Sequence, residues 1–298
     1  GNGRSGIFIF ESPTPVIGGT NPDVSNLISA NVEDGIHLQN VSGATIQGNF
    51  IGVNASVTSA LGNRRHGIFL EGSSDTAIGG VDSSLSPGNI ISGNDQGSGV
   101  HILGPANNNS ILGNLIGTND LGDRAIPNLT GVSILNAPNN SVGLGLGGGN
   151  LISGNLESGV LIDGPNATGN RVQGNKIGTD STGVLPLGNT AAGFSGAGVL
   201  ISDAKNNLIG GNEFSGAGNL ISGNEGIGVL IRGVTSTGPG DPGNTIQGNR
   251  IGTTINGDVR LPNKSLGVAI SGARNLIGGL MDGEGNLISG NDGTGLLI

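Results

Sequence analysis

The chain has 298 residues, of which 62 are Gly and none is Tyr, Trp or Cys; with 34% apolar residues it keeps enough to bury, which excludes compositional disorder. Glycine without a Gly-X-Y period excludes collagen, and 12 Pro are too few for a polyproline rod. A formal charge of −9 with only 12 Lys and Arg excludes a nucleic-acid surface and disfavours anionic membranes, while the lack of Cys removes disulfides, thiolate chemistry and Cys-ligated zinc.

From its first residues the chain repeats itself. A segment of Gly, branched apolar, any residue, branched apolar starts at Gly6, Gly35, Gly67, Gly99, Gly131, Gly159, Gly198, Gly228, Gly267 and Gly295, one unit per roughly 32 residues. Between these landmarks two further signatures alternate. N-L-I-S-G-N or a near relative begins at Asn26, Asn89, Asn150, Asn219 and Asn286, and x-I-x-G-N-x-I-G-T ends at Val53, Thr118, Thr179 and Thr253. Each apolar stretch alternates with period two over three or four residues and is bounded by Gly, Asn, Asp, Ser or Pro, so the stretches predict short strands ending in turns. Three strands and three turns per unit predict an all-β solenoid of about ten three-stranded coils. Its parallel stacking buries one Ile, Val and Leu column over roughly 48 Å at about 4.8 Å per coil. No apolar run approaches the roughly 18 residues of a membrane span.

Longer units carry extra residues after the I-G-T corner, chiefly Asp180 to Ala197 and Thr253 to Leu266, and these predict loops projecting from one corner on alternate coils. Nothing marks a linker, so residues 1–298 are expected to form a single domain. Asn is the most regular polar residue. Asn94, Asn155, Asn224 and Asn291 recur at one corner and Asn49, Asn114, Asn175 and Asn249 at another, a pattern that predicts a structural ladder of stacked amides.

These signatures resemble the right-handed parallel β-helix repeat proteins of the pectate-lyase-like superfamily, in particular bacterial surface repeats built from N-x-I-x-G-N-x-I-G-T and N-x-I-S-G-N-x-x-x-G-V-x-I. The resemblance covers essentially the whole chain and implies that fold. It leaves function open, since the superfamily includes lyases, hydrolases, epimerases, adhesins and scaffolds. The N-T-D, D-D, G-H-G and R-I-K motifs of polygalacturonase-like hydrolases are absent: His66 and Gly67 sit in R-R-H-G, and Arg250 and Ile251 are followed by Gly252.

Several residues are candidates for chemistry. Arg171, Lys176 and Asp180 follow one another through N-R-V-Q-G-N-K-I-G-T-D and are the best catalytic set, with ordinary surface charge as the alternative. Acids recur after the N-L-I-S-G-N corner at Glu33 or Asp34, Asp95, Glu157, Glu225 and Asp292. With about 10 Å between neighbours they are too far apart to share a calcium ion. His37 and His101 hold one position two coils apart, again about 10 Å, with Phe69 between them, so neither a metal nor a cofactor is assigned.

The outward position of the first strand reads Phe8, His37, Phe69, His101, Ser133, Leu161, Leu200, Leu230, Ala269 and Leu297. An apolar stripe of that length predicts a contact face, with Phe8, Phe69, Leu161, Leu200, Leu230 and Leu297 as interface residues, or cover by another segment. The chain starts inside a repeat and stops on a core strand, from which an excerpt of a longer array or an end-to-end stacking unit is expected, with any targeting signal lying outside it. Near-unbroken repetition favours a non-enzymatic structural, adhesive or filament-forming module of a secreted or cell-surface protein. It is expected to self-associate or to bind another surface protein. The alternative is a polysaccharide lyase, hydrolase or epimerase, or a carbohydrate-binding module, with polysaccharide as the partner.

Overall fold

The computed structural model describes residues 1–21, 25–81, 88–190, 197–233 and 242–298. Residues 191–196 of the longest insertion, which the sequence reads as a projecting loop, lie outside them. The described residues form a right-handed parallel β-helix with three sheets, of ten, nine and nine strands, each ordered so that a strand pairs with its copies one coil away on either side. The first sheet opens with Ile7–Phe10, Ile36–Gln39, Ile68–Glu71 and Val100–Leu103 and ends with Leu296–Leu297. In the coil of Val100–Leu103 the second-sheet strand is Ser110–Leu112 and the third-sheet strand Leu115–Ile116.

Register is set by side-chain alternation. Ile36, Ile68, Val100, Val132 and Val160 lie opposite one another along the first sheet, as do Ile46, Ile78 and Ile111 along the second and Ile51, Ile91 and Ile116 along the third. All of them are fully buried in one continuous core, closed at the first corner by Ala106, Ala137, Ala167 and Ala204. A slip by one residue would turn every one of these side chains out to solvent, so the core itself holds the register. Close approach accounts for the glycine that opens each first-sheet strand. A Cβ on Gly67 would lie 2.6 Å from the Gly99 carbonyl oxygen and 2.7 Å from Ile91 Cγ2, and one on Gly99 would lie 2.8 Å from the Gly131 oxygen.

Each of the three corners carries a ladder of asparagines, buried except at the terminal rungs. Between the third and first sheets it runs Asn31, Asn63, Asn94, Asn128, Asn155, Asn189, Asn224, Asn263 and Asn291. Between the second and third it runs Asn26, Asn49, Asn89, Asn114, Asn150, Asn175, Asn219, Asn249 and Asn286. Between the first and second it links Asn109, Asn140, Asn170, Asn207, Asn244 and Asn275. At a typical rung, Asn94 donates both its backbone N–H and its Nδ2 to Asn128 Oδ1, while Asn128 Nδ2 donates to the Ile91 carbonyl and onward to Asn155 Oδ1. The amide thereby uses both donors and its acceptor inside a site water does not reach. The eight residues expected from the sequence supply only alternate rungs. The missing rungs include the Asn of L-G-N, I-P-N and L-P-N, at Asn63, Asn128, Asn189 and Asn263, which the sequence suggests are loop residues.

The loops after the I-G-T corner also depart from expectation, because they fold back on the third sheet instead of projecting. Each closes with an antiparallel bridge, Val53 to Ala60, Thr118 to Ala125, Thr179 to Pro186 and Thr253 to Arg260. Five residues into each loop stands Gly122, Gly183 or Gly257, with φ of 67, 73 and 80°. These glycines lie directly against Leu151, Leu220 and Leu287 of the third sheet. Val57 takes the same place in the first loop at φ 51° and joins Ile90 and Ile126 in a small apolar cluster.

Candidate functional site

Parallel, in-register pairing makes each outward side chain of the first sheet a neighbour of its copies in the adjacent coils. Phe8 lies opposite His37, His37 opposite Phe69, and Phe69 opposite His101. Their rings follow the strand spacing, with centroids 5.0, 4.6 and 5.3 Å apart. His66, just before the Gly67 that opens its strand, lays its ring on His101 at 4.4 Å and 11° and stands 5.5 Å from Phe69. The guanidinium of Arg65 sits 5.5 Å above the Phe69 ring. His66 and His101 therefore meet, and His37 stands on the other side of Phe69.

Polar groups frame the rings. Asp34 is fully buried; its Oδ1 accepts the His66 N–H at 3.0 Å, while its Oδ2 has no hydrogen bond and lies 3.5 Å from Arg65 Nη1 and 3.9 Å from His37 Nδ1. Burial pushes the Asp34 carboxyl above its usual range, against the lowering pull of the His66 N–H and of Arg65. His37 Nε2 meets Glu71 Oε2 at 3.2 Å. His66 Nδ1 accepts the Ser98 N–H at 3.0 Å. Burial, then the charge of His101 and of Arg65, lowers His66 to about 3, and burial followed by Arg65 lowers His101 to about 4, so both rings are neutral at ordinary pH.

Beside this cluster the first three coils form a cleft of about 280 Å³. Arg4, Arg65 and His37 line it together with the face of Phe8, and Ser5, Glu33 and Gln39 complete the wall. Arg4 and Glu33 approach to 3.9 Å. Two guanidiniums thus line the cleft although the chain as a whole carries −9.

The residues singled out from the sequence are placed differently. Arg171 is exposed on the second sheet and Lys176 lies on the third, so they do not face one site. The Lys176 ammonium donates to the Ser181 carbonyl. Asp180 caps its corner loop, accepting from Thr182 Oγ1 at 2.7 Å, Leu185 N at 3.0 Å and Val184 N at 3.1 Å. Burial pushes its carboxyl up, but these hydrogen bonds outweigh it and hold the group below its ordinary value.

The first-sheet stripe is exposed only toward its ends. Phe8 and Leu297 are 55% and 51% exposed, and Leu161 is half-buried, but Phe69, Leu200 and Leu230 are only 5%, 3% and 7% exposed. Residues just before the strand glycines account for this, as Ala197, Ile227 and Leu266 pack with Leu200, Leu230 and Ala269 into one cluster. Large apolar side chains reach solvent instead on the loops after the second sheet, at Leu146, Phe214, Leu280 and Met281. Sequence reasoning missed His66 and Arg65. The available signal was that the chain's three histidines and an Arg pair all fall between residues 37 and 101.

Three in-register parallel sheets around an aliphatic core, with asparagine ladders at the corners, define a parallel β-helix of the pectate-lyase-like kind. Residues 3–252 match the profile of NosD, described as "Periplasmic copper-binding protein (NosD)", and the chain belongs to that family. Among curated proteins none matches the sequence. Several solved structures are similar to it. The periplasmic alginate epimerase AlgG is 15% identical over 92% of this chain and 51% of its own, with a TM-score of 0.49. The A-module of the Azotobacter vinelandii mannuronan C-5 epimerase AlgE4 is 17% identical over 89% and 60%, at 0.34. The Dettilon tailspike protein is 14% identical over 97% and 61%, at 0.40. The chain thus spans about half the length of AlgG.

Proposed function

We propose that this chain is a non-enzymatic β-helix scaffold of the periplasm or cell surface that binds a carboxylate-bearing polysaccharide in the cleft of its first three coils. The observation that carries this reading is the meeting of Arg4, Arg65 and His37 around the exposed face of Phe8. A guanidinium matches a carboxylate with two parallel hydrogen bonds, a phenyl face takes the C–H side of a sugar ring, and Ser5, Glu33 and Gln39 offer partners for hydroxyls.

Binding of a panel of acidic and neutral polysaccharides to the whole chain, measured by calorimetry, tests the proposal. Arg4 is almost fully exposed, so Arg4→Ala probes contact without disturbing the fold. Arg4→Ala and Arg65→Ala should each weaken the acidic polymer about tenfold, which is about 1.4 kcal/mol. Equal affinity for neutral polymers, or no change in either variant, would remove the reading.

One observation favours catalysis as a second reading. Asp34 is a buried carboxyl with a raised pKa and an oxygen lacking a hydrogen bond, set between His37 and Arg65, as a general acid would be. The same panel, followed for product, decides it: turnover lost in Asp34→Asn supports an enzyme, and an unchanged polymer supports the scaffold. Copper, which the family description names, has no part in either reading.

A further inference from the structure

We infer that this member of the family does not take copper, and that its histidines serve instead as members of a ring stack joining consecutive coils of the first sheet. The argument is one of direction. A histidine binds a metal through a lone pair in the plane of its ring, at about 2.0 Å. His66 and His101 are parallel to within 11° with centroids 4.4 Å apart, and planes so nearly parallel share no point at ligand distance from both rings.

His66 is committed further. Its Nδ1 lone pair accepts the Ser98 N–H, so in the neutral ring the proton sits on Nε2 and no lone pair remains for a metal. His37 is turned away from the pair. Its ring lies at 29° on Phe69, which stands between it and His101 in the column, and its Nε2 points at Glu71. Softer ligands are missing as well. The chain has no Cys, and its single Met, Met281, is exposed on a loop after the second sheet. Among the described residues no group of three or more His, Asp or Glu is placed to hold an ion.

The same geometry explains what the rings do. Five rings, from Phe8 to His101, touch in series over four coils, and an imidazole fills a phenyl-sized place in such a column. The stack therefore continues the aromatic stripe where the copper ligands of a metalloprotein would have to diverge from it.

Copper titration of the whole chain tests this, using calorimetry and frozen-solution electron paramagnetic resonance for Cu(II) and competition with a coloured chelator for Cu(I). His37→Phe, His66→Phe and His101→Phe are run alongside. The expected result is no saturable one-to-one site in either oxidation state, a melting temperature that copper leaves unchanged, and a folded β spectrum in the Phe variants. A one-to-one site with nitrogen hyperfine structure that any of the three substitutions abolishes overturns the inference. So does a site that survives all three, which would put copper elsewhere on the chain. Neither outcome bears on glycan binding, which has its own readout.

Discussion

Asn128→Ala removes one rung from a ladder at a fully buried position, and its cost can be worked from the bonds it breaks. Asn128 Oδ1 accepts from Asn94 N at 3.1 Å and Asn94 Nδ2 at 2.8 Å, and Asn128 Nδ2 donates to the Ile91 oxygen at 2.9 Å and to Asn155 Oδ1 at 3.1 Å. The backbone N–H of residue 128 still reaches Asn155 Oδ1, so that oxygen keeps a partner. The Asn94 N–H and one Nδ2 hydrogen lose theirs, while Asn94 Nδ2 keeps the Ser92 carbonyl at 3.4 Å and the Ile91 carbonyl keeps the Gly117 N–H at 3.1 Å. At about 1–3 kcal/mol for a buried group left unpaired, with the Asn94 N–H fully and its Nδ2 partly orphaned, the loss is about 2–4 kcal/mol. That is a large part of the roughly 5–15 kcal/mol that holds an ordinary domain together. Without Tyr or Trp the chain has little intrinsic fluorescence, so urea unfolding is best followed by far-ultraviolet circular dichroism. Asn166→Ala, at an exposed position, is the control. A shift in Asn128→Ala no larger than in that control would refute the view that the ladders hold the corners together.

Two further outcomes follow from the same packing. His66 and His101 have folded pKa values of about 3 and about 4, below the 6.5 of a free imidazole, so the unfolded chain takes up their protons first. Stability is full above pH 6.5 and falls as the pH drops towards 4, at up to about 1.4 kcal/mol per pH unit for each ring. The raised carboxyl of Asp34 acts in the opposite sense, favouring the fold at low pH. Melting temperatures at pH 7 and pH 5 should therefore fall more in the wild type than in a His66→Phe, His101→Phe double variant, and equal falls would contradict the assignment. Gly122→Val should cost about 1–2 kcal/mol through its left-handed backbone alone, read as a lower urea midpoint, because φ is 67° there. An unchanged midpoint would show that the loop relaxes freely.

The fold was legible because its repeating residues answer to local necessity. Each strand-opening glycine faces a carbonyl of the next coil, and each N-L-I-S-G-N places an amide where two turns need donors and an acceptor. Half the ladder stayed hidden because Asn63, Asn128, Asn189 and Asn263 sit in longer, less regular units that look like loops, although their side chains occupy the same corner. The ring cluster was missed for a related reason. Period two identifies His37 and His101 as outward, but the residue before the strand glycine also leans over that face. His66 reaches His101 this way, and Ala197, Ile227 and Leu266 shield the apolar stripe. Arg171, Lys176 and Asp180 were close in sequence yet fell on two sheets and a corner.

Because the chain has only three histidines, and all of them stand at or beside the cleft, their imidazole proton resonances report directly on ligand binding there. The most direct test of the account is to titrate an acidic oligosaccharide into the protein while following those three signals. The result predicted is a saturable shift of His37, smaller changes at His66 and His101, and a midpoint about tenfold higher for these responses in Arg65→Ala. Three signals that stay still while the oligosaccharide binds would place the glycan site elsewhere and contradict the central claim.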